Sequence, residues 1–244
     1  MIKLIVKMQF NTRPLLRRVF LSKELLNAVE NNNQSQTESL ISIGANINCR
    51  NKLGQYPLHI LCKNGNYNLV KLMLNKKADI NKKCDYYGNT PLILAIKTKQ
   101  ENIINLLIDR KADINLTNYS GMNPITSSLL SKEYSFFYCL IKNGADINEK
   151  YLKLNGNTPL LLAIKNNSIE WIQNMLYINA DVNIHNDDKI SPLIQSILRG
   201  NTNITKLLID NNANIQHKDC EGKTALFEAT IHNRFKMINI LLKK

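Results

Sequence analysis

GNTPLILAIKTKQENIINLLIDRKADIN, residues 88–115, decides the fold. Thr90 stands where a helix N-cap would accept a backbone N–H, and Pro91 occupies a first helical turn, where its missing N–H costs nothing. The run from Leu92 to Ile96 is too short for a long helix and is closed by polar residues. A second apolar set, Ile103, Ile104, Leu107 and Ile108, falls at helical spacing and stops before Ala112-Asp113-Ile114-Asn115. The stretch therefore predicts two short helices joined by a tight turn.

Working outward, both ends of this stretch recur. Five of the six prolines fall at positions 57, 91, 124, 159 and 192, and alanine followed by Asn or Asp recurs at 45, 78, 112, 145, 180 and 213. Each proline precedes its alanine by 21 residues, whereas the interval from alanine to the next proline varies between 12 and 14. A block that tolerates no insertion reads as a packed helix pair, and the elastic interval reads as a surface loop. Asn64-Gly65-Asn66 and Asn166-Asn167 interrupt the block between its two helices.

The glycine expected to end the second helix is present as Gly44 and Gly144 but is replaced by Lys77, Lys111, Asn179 and Asn212. Lysine enters the left-handed backbone region less readily than Asn or Gly, which predicts weaker junctions at Lys77 and Lys111. In the first repeat, Gln36-Thr37 takes second-helix positions that are apolar elsewhere, as a solvent-facing cap would.

Gly54-Gln55-Tyr56-Pro57-Leu58-His59, Gly88-Asn89-Thr90-Pro91-Leu92 and Gly156-Asn157-Thr158-Pro159-Leu160, each followed by the alanine-Asn/Asp marker, resemble the ankyrin repeat. The resemblance covers nearly the whole chain. It implies an all-α fold: an ankyrin-type helical repeat solenoid of about seven helix-turn-helix units with connecting hairpin loops. The repeat domain is expected over residues 24–244, in units of about 24–50, 51–84, 85–117, 118–152, 153–185, 186–218 and 219–244, after a basic extension at 1–23.

Composition excludes several other classes. With 44% hydrophobic and 21% charged residues the chain can form a core, and its apolar runs are far shorter than the roughly 20 residues of a membrane span. Five dispersed cysteines, at 49, 62, 84, 139 and 220, offer no paired metal-ligand spacing and fit a reducing, cytoplasmic setting. The net charge of +13 is concentrated at the start: Lys3, Lys7, Arg13, Arg17, Arg18 and Lys23 meet no acid before Glu24. That segment is expected to be an extension packing Ile5, Leu15, Leu16 and Phe20 on the first repeat; the alternative is a mitochondrial presequence, although the usual serines are missing. The remaining basicity is spread, and abundant Asn, Ile and Lys fit an AT-rich genome, so nucleic-acid binding is the weaker reading.

Catalytic chemistry finds little support. His59, His185, His217 and His232 fall in different repeats, and His59 is expected to serve as a structural hydrogen-bonding group. Gly222-Lys223-Thr224 resembles the end of a phosphate loop, but His217 stands where the required earlier glycine would be. Asp79, Asp113, Asp146 and Asp181 come one per repeat, about 10 Å apart in a helix stack, too far to share a cation. They are expected to accept hydrogen bonds from loop amides. No metal, cofactor or small-molecule substrate is expected, and the chain reads as a non-enzyme.

The ankyrin resemblance implies a protein-protein interaction module that binds its partner through loop tips and first helices. Two residues before the repeat glycines stand Lys52, Tyr86, Tyr119 and Leu154, with Tyr87 adjacent. The matching first-helix positions hold Lys63, Lys97, Leu130 and Lys165, with Arg199 one place on. Tyrosines beside a basic row suit an acidic protein surface, because aromatic anchors supply contact area and cations steer the encounter. The chain is expected to act as a monomer without membrane attachment. The composition is similar to that of ankyrin-rich chains from large DNA viruses and intracellular bacteria, which implies a host-directed effector in the host cytoplasm. The alternative is a substrate-capturing adaptor of a ubiquitin-ligase-type assembly, although no F-box-like segment follows the repeats.

Overall fold

The computed structural model describes residues 14–84 and 86–243. Fourteen α-helices form among them: α1 (Pro14–Glu30), α2 (Gln34–Ser42), α3 (Pro57–Asn64), α4 (Tyr67–Asn75), α5 (Pro91–Lys97), α6 (Glu101–Asp109), α7 (Pro124–Ser131), α8 (Tyr134–Lys142), α9 (Pro159–Lys165), α10 (Ile169–Tyr177), α11 (Pro192–Arg199), α12 (Thr202–Asp210), α13 (Ala225–Ile231) and α14 (Phe235–Leu242). Among the described residues, the β-type pairing is confined to two isolated antiparallel bridges, Tyr151 with Asn157 and Lys218 with Thr224. The described residues pack as two compact halves, divided between Leu140 and Ile141.

In the N-terminal half, first helix packs on first helix, α3 on α5 and α5 on α7, while second helix packs on second helix, α4 on α6. The C-terminal half repeats this rule, with α9 on α11, α11 on α13, α10 on α12 and α12 on α14. The cores follow from the spacing of apolar residues. Ile93, Ile96, Ile103 and Leu107 are buried in one half, and Leu161, Ile164, Ile172 and Met175 in the other.

The expected start signals operate. The side-chain oxygens of Thr90, Thr158 and Ser191 accept the backbone N–H of Ile93, Leu161 and Ile194, each at 3.3 Å. Lys77 and Lys111 adopt the left-handed backbone, at φ 63° and 64°, where Gly44 and Gly144 sit at 91° and 93°. Lysine thus holds the junction that the repeat assigns to glycine, at the cost of a Cβ in a disfavoured region.

The alanine-Asp-x-Asn marker works as a two-step connector. Asp79 Oδ1 accepts from the Asn81 amide at 3.1 Å, and Asn81 Oδ1 in turn accepts the amide of Asp113 in the next repeat at 2.9 Å. In the C-terminal half Asp181 accepts from Asn183 at 2.8 Å, and Asn183 accepts the amide of Asn214 at 2.8 Å. The recurrent acids are hairpin acceptors, and the asparagines two places on join neighbouring repeats.

Two expectations fail in the first repeat. Leu15 and Leu16 are exposed, at 78% and 48%, and the inner face of α1 is carried instead by Leu21, Leu25 and Val29. The helix begins at Pro14 and runs unbroken past Glu24, so its own turn geometry sets which residues face inward. Ile5 lies outside the described residues. Thr37 is fully buried rather than solvent-facing. Its hydroxyl donates to the Asn33 carbonyl at 2.7 Å, which removes the penalty for burying it.

Candidate functional site

The loop that carries Tyr86 and Tyr87 is closed by Gly88, whose φ of 66° suits a residue without Cβ. The next loop is built on Asn118, whose Oδ1 accepts from the amides of Ser120 and Met122, both at 3.0 Å. The Tyr119 amide donates to the Tyr87 carbonyl at 3.0 Å. The Tyr119 ring lies so close over Gly88 that a Cβ there would come within 2.6 Å of it. Tyr86 and Tyr87 meet edge to face, with ring centroids 4.6 Å apart. The structure therefore brings three tyrosines onto two joined loops, and all three remain more than half exposed.

Beneath them lies a polar node. Asn89 Oδ1 accepts from Asn118 Nδ2 at 2.9 Å and from Lys97 Nζ at 3.4 Å. Partial burial holds the Lys97 ammonium below its ordinary value. On the other side of the loop, buried His59 donates through Nε2 to the Asn89 carbonyl at 3.1 Å. Burial pushes the His59 imidazole down to about 4, so it is neutral near pH 7. This is the structural role expected of it. Asn89, Asn118 and His59 hold the tyrosine loops in place, and Lys97 sets one positive charge at their base.

Lys52, Lys63 and Leu130 are exposed in the same half of the molecule, with Leu130 at 58%. No polar contact joins them to the tyrosine node among the described residues.

The C-terminal half presents a different loop. Two extra residues between Ala145 and Pro159 are accommodated in a 3₁₀ turn, Leu152–Leu154. Leu154 is half-buried, its carbonyl accepting from Asn157 Nδ2, while Leu152 is 84% exposed. Leu152 thus occupies the protruding position that spacing from the glycine assigned to Leu154. Asn155 Nδ2 donates to Asp188 at 2.6 Å, and the Asp187 amide donates to the Asn155 carbonyl at 3.2 Å. Lys165 is held below its ordinary value by burial first and then by the neighbouring Arg199, with Asp188 opposing both. Lys165 and Arg199 form the basic pair of this half.

The asparagines are what sequence reasoning missed. Asn89 and Asn157 each precede a Thr-Pro pair, and Asn118 stands three residues before Gly121, so position rather than abundance was the available signal. Among the described residues no three His, Cys, Asp or Glu side chains converge on a point that could hold a metal ion, and no helix is long and apolar enough to cross a membrane.

Comparison with known proteins agrees with this architecture. A family model described as ankyrin repeats (3 copies) matches residues 25–118 and 162–244. An ankyrin repeat protein of Acanthamoeba polyphaga mimivirus is 26% identical over 222 residues, which are 88% of this chain and 29% of that protein. An ankyrin repeat protein of fowlpox virus is 29% identical over 126 residues, 50% of this chain and 37% of the relative. The chain thus spans well under half the length of these relatives. Among solved structures, the ankyrin repeat domain of Bcl-3, a member of the IkappaB protein family, superposes with a TM-score of 0.81 at 25% identity. That match covers 91% of this chain and 98% of the Bcl-3 domain.

Proposed function

The chain belongs to the ankyrin repeat family, whose repeats generally serve as protein-protein interaction modules, and on that premise we propose that residues 24–244 bind an acidic face of a partner protein. The anchor is the tyrosine pair of loops, and no bond-making chemistry is involved. The observation that carries the reading is the exposure of Tyr86, Tyr87 and Tyr119 on loops already fixed by Gly88, Asn89 and Asn118. Rigid, exposed aromatics lose little entropy on binding and supply large contact area. Lys97, Lys63 and Lys52 give that half a positive row that speeds encounter with an acidic surface.

The viral origin of these two relatives supports a host protein as the target; the proposal has the chain meet it as a monomer in the host cytoplasm. An adaptor role makes the same demand on the surface and would be read out by co-capture of ubiquitin-ligase components.

The test is affinity capture from host lysate, followed by binding measurements with the purified partner. Tyr86→Ala combined with Tyr119→Ala is expected to weaken the complex at least tenfold, about 1.4 kcal/mol, with little change in melting temperature. Lys63→Glu with Lys97→Glu is expected to act mainly on the association rate. Unchanged affinity in both double variants would move the contact elsewhere.

A further inference from the structure

A cavity of about 250 Å³ opens between the second helices α4 and α6, away from the first helices and the loop tips. It is lined by Tyr67 of α4 and by Asn102, Asn105, Leu106 and Asp109 of α6. Helical spacing puts Asn102, Asn105 and Asp109 on the exposed side of α6, while Ile103, Ile104 and Leu107 are buried on the other. Asn66 fixes the start of α4: its Oδ1 accepts the Leu69 amide at 3.0 Å and its Nδ2 donates to Asn32 at 2.8 Å, so the Tyr67 ring stands on a set backbone. The Asn105 amide is oriented by the Cys139 thiol of α8, which donates to Oδ1 at 3.7 Å. The Tyr67 hydroxyl, the Asn102 amide and the Asp109 carboxylate have no polar partner among the described residues.

We propose that this cavity binds one neutral sugar ring, independently of the tyrosine loops. Tyr67 is 39% exposed and Leu106 lies beside it at 7%, an apolar strip that suits the C–H face of a pyranose. Side-chain amides donate and accept at once, as sugar hydroxyls do, and the two oxygens of the Asp109 carboxylate can accept from adjacent hydroxyls. The volume lies below the roughly 300–1,000 Å³ that encloses a drug-sized ligand, so it suits a single ring. No Lys or Arg lines the cavity among the described residues, and Arg110, next to Asp109, donates to Asn75 Oδ1 at 2.9 Å, so an anionic ligand would face the carboxylate uncompensated. A quaternary ammonium ion fits less well, because a single aromatic ring makes no cage and both amides would go unused. One carboxylate lines the cavity among the described residues, whereas hydrolysis of a glycosidic bond takes a pair, so the site holds a sugar without cleaving it.

The test uses the full chain with methyl glycosides of glucose, galactose, mannose and N-acetylglucosamine in solution, followed by saturation-transfer NMR and titration calorimetry, and an array of neutral and sialylated oligosaccharides. At least one neutral sugar is expected to bind saturably, with the strongest saturation transfer at its ring C–H groups. Tyr67→Ala and Asp109→Asn should each lose at least tenfold, whereas Tyr67→Phe, which keeps the ring, should lose less than threefold. Tyr67 and Asp109 are exposed, so the melting temperature should hold and a folding defect would be visible separately. Tyr86→Ala with Tyr119→Ala should leave sugar binding unchanged, which separates this site from the loop-tip reading. Binding of a methyl glycoside supports a free sugar as the ligand, and binding of array chains alone supports the end of a glycan. Binding of no neutral sugar in either arm, indifference to Tyr67→Ala or to Asp109→Asn, or tighter binding to sialylated chains or to choline than to any neutral sugar would overturn the proposal.

Discussion

The loop around Gly88 and the loop around Gly156 share a backbone plan and differ in almost everything a partner would feel. Both glycines are left-handed, at φ 66° and 62°. In both, the following loop donates an amide to a carbonyl of the first, Tyr119 to Tyr87 at 3.0 Å and Asp187 to Asn155 at 3.2 Å. In both, the donor residue also lays its side chain over the glycine. Above Gly88 that side chain is an aromatic ring, beside two further tyrosines; above Gly156 it is a carboxylate, beside an asparagine and a 3₁₀ turn. The repeat fixes how loops are joined, and the residue chosen at the joint decides whether the surface is an aromatic anchor or a polar latch.

If the two regions rest on equivalent cores, Ile93→Asp and Leu161→Asp should be equally damaging. Both side chains are fully buried at the third position of their first helices, and an unpaired carboxylate there should cost several kcal/mol, enough to unfold its half of the chain. Denaturant melts that separated the two variants widely would show that the halves are not built alike.

Acid should tell the loops apart. His59 supports the Gly88 loop, through Asn89 of the repeat that follows it; its counterpart in the repeat that precedes Gly156, two places after Pro124, is Thr126, which has no imidazole to titrate. Because the folded imidazole titrates near 4, below its ordinary 6.5, the neutral form is the one the fold favours. The stabilisation is complete above pH 6.5 and is lost as pH falls through 4, a swing of about 3 kcal/mol by linkage. His59→Gln should flatten that part of the stability profile, as read by urea midpoints between pH 7 and 4. A profile with the same slope in both proteins would remove His59 from the account.

A smaller effect separates the joints themselves. Gly88→Ala and Gly156→Ala each force a Cβ into left-handed backbone, costing about 1–2 kcal/mol. At Gly88 the new atom also meets a packed ring, whereas Asp187 at Gly156 can swing its carboxylate away. Gly88→Ala is therefore expected to be the more destabilising in thermal melts and to quench or shift tyrosine fluorescence; equal costs would mean that Tyr119 is not held over the glycine.

Much of this was legible in the sequence because proline at a first turn and alanine at a hairpin are fixed by backbone geometry, and two markers in phase leave one register for the helices. What escaped depended on side chains that answer to neighbours. Leu154 was placed by counting back from Gly156, but the two added residues coil into a 3₁₀ turn and pass the exposed position to Leu152. Thr37 looked solvent-facing because it is polar, yet a hydroxyl that bonds its own helix can be buried at little cost. Leu15 and Leu16 looked buried because they are apolar, but α1 turns its inner face to Leu21 and Leu25. The asparagines looked like genome bias, and their role shows only when the next repeat is in place to donate to them.

The central claim is that the tyrosine loops, rather than the polar latch of the other half, meet the partner. Hydrogen-deuterium exchange of the chain alone and in complex with its captured partner tests it most directly. The account predicts new protection at the amides of residues 86–89 and 118–122, with those of 151–157 unchanged. Protection at 151–157 with no change at 86–89 and 118–122 would contradict it.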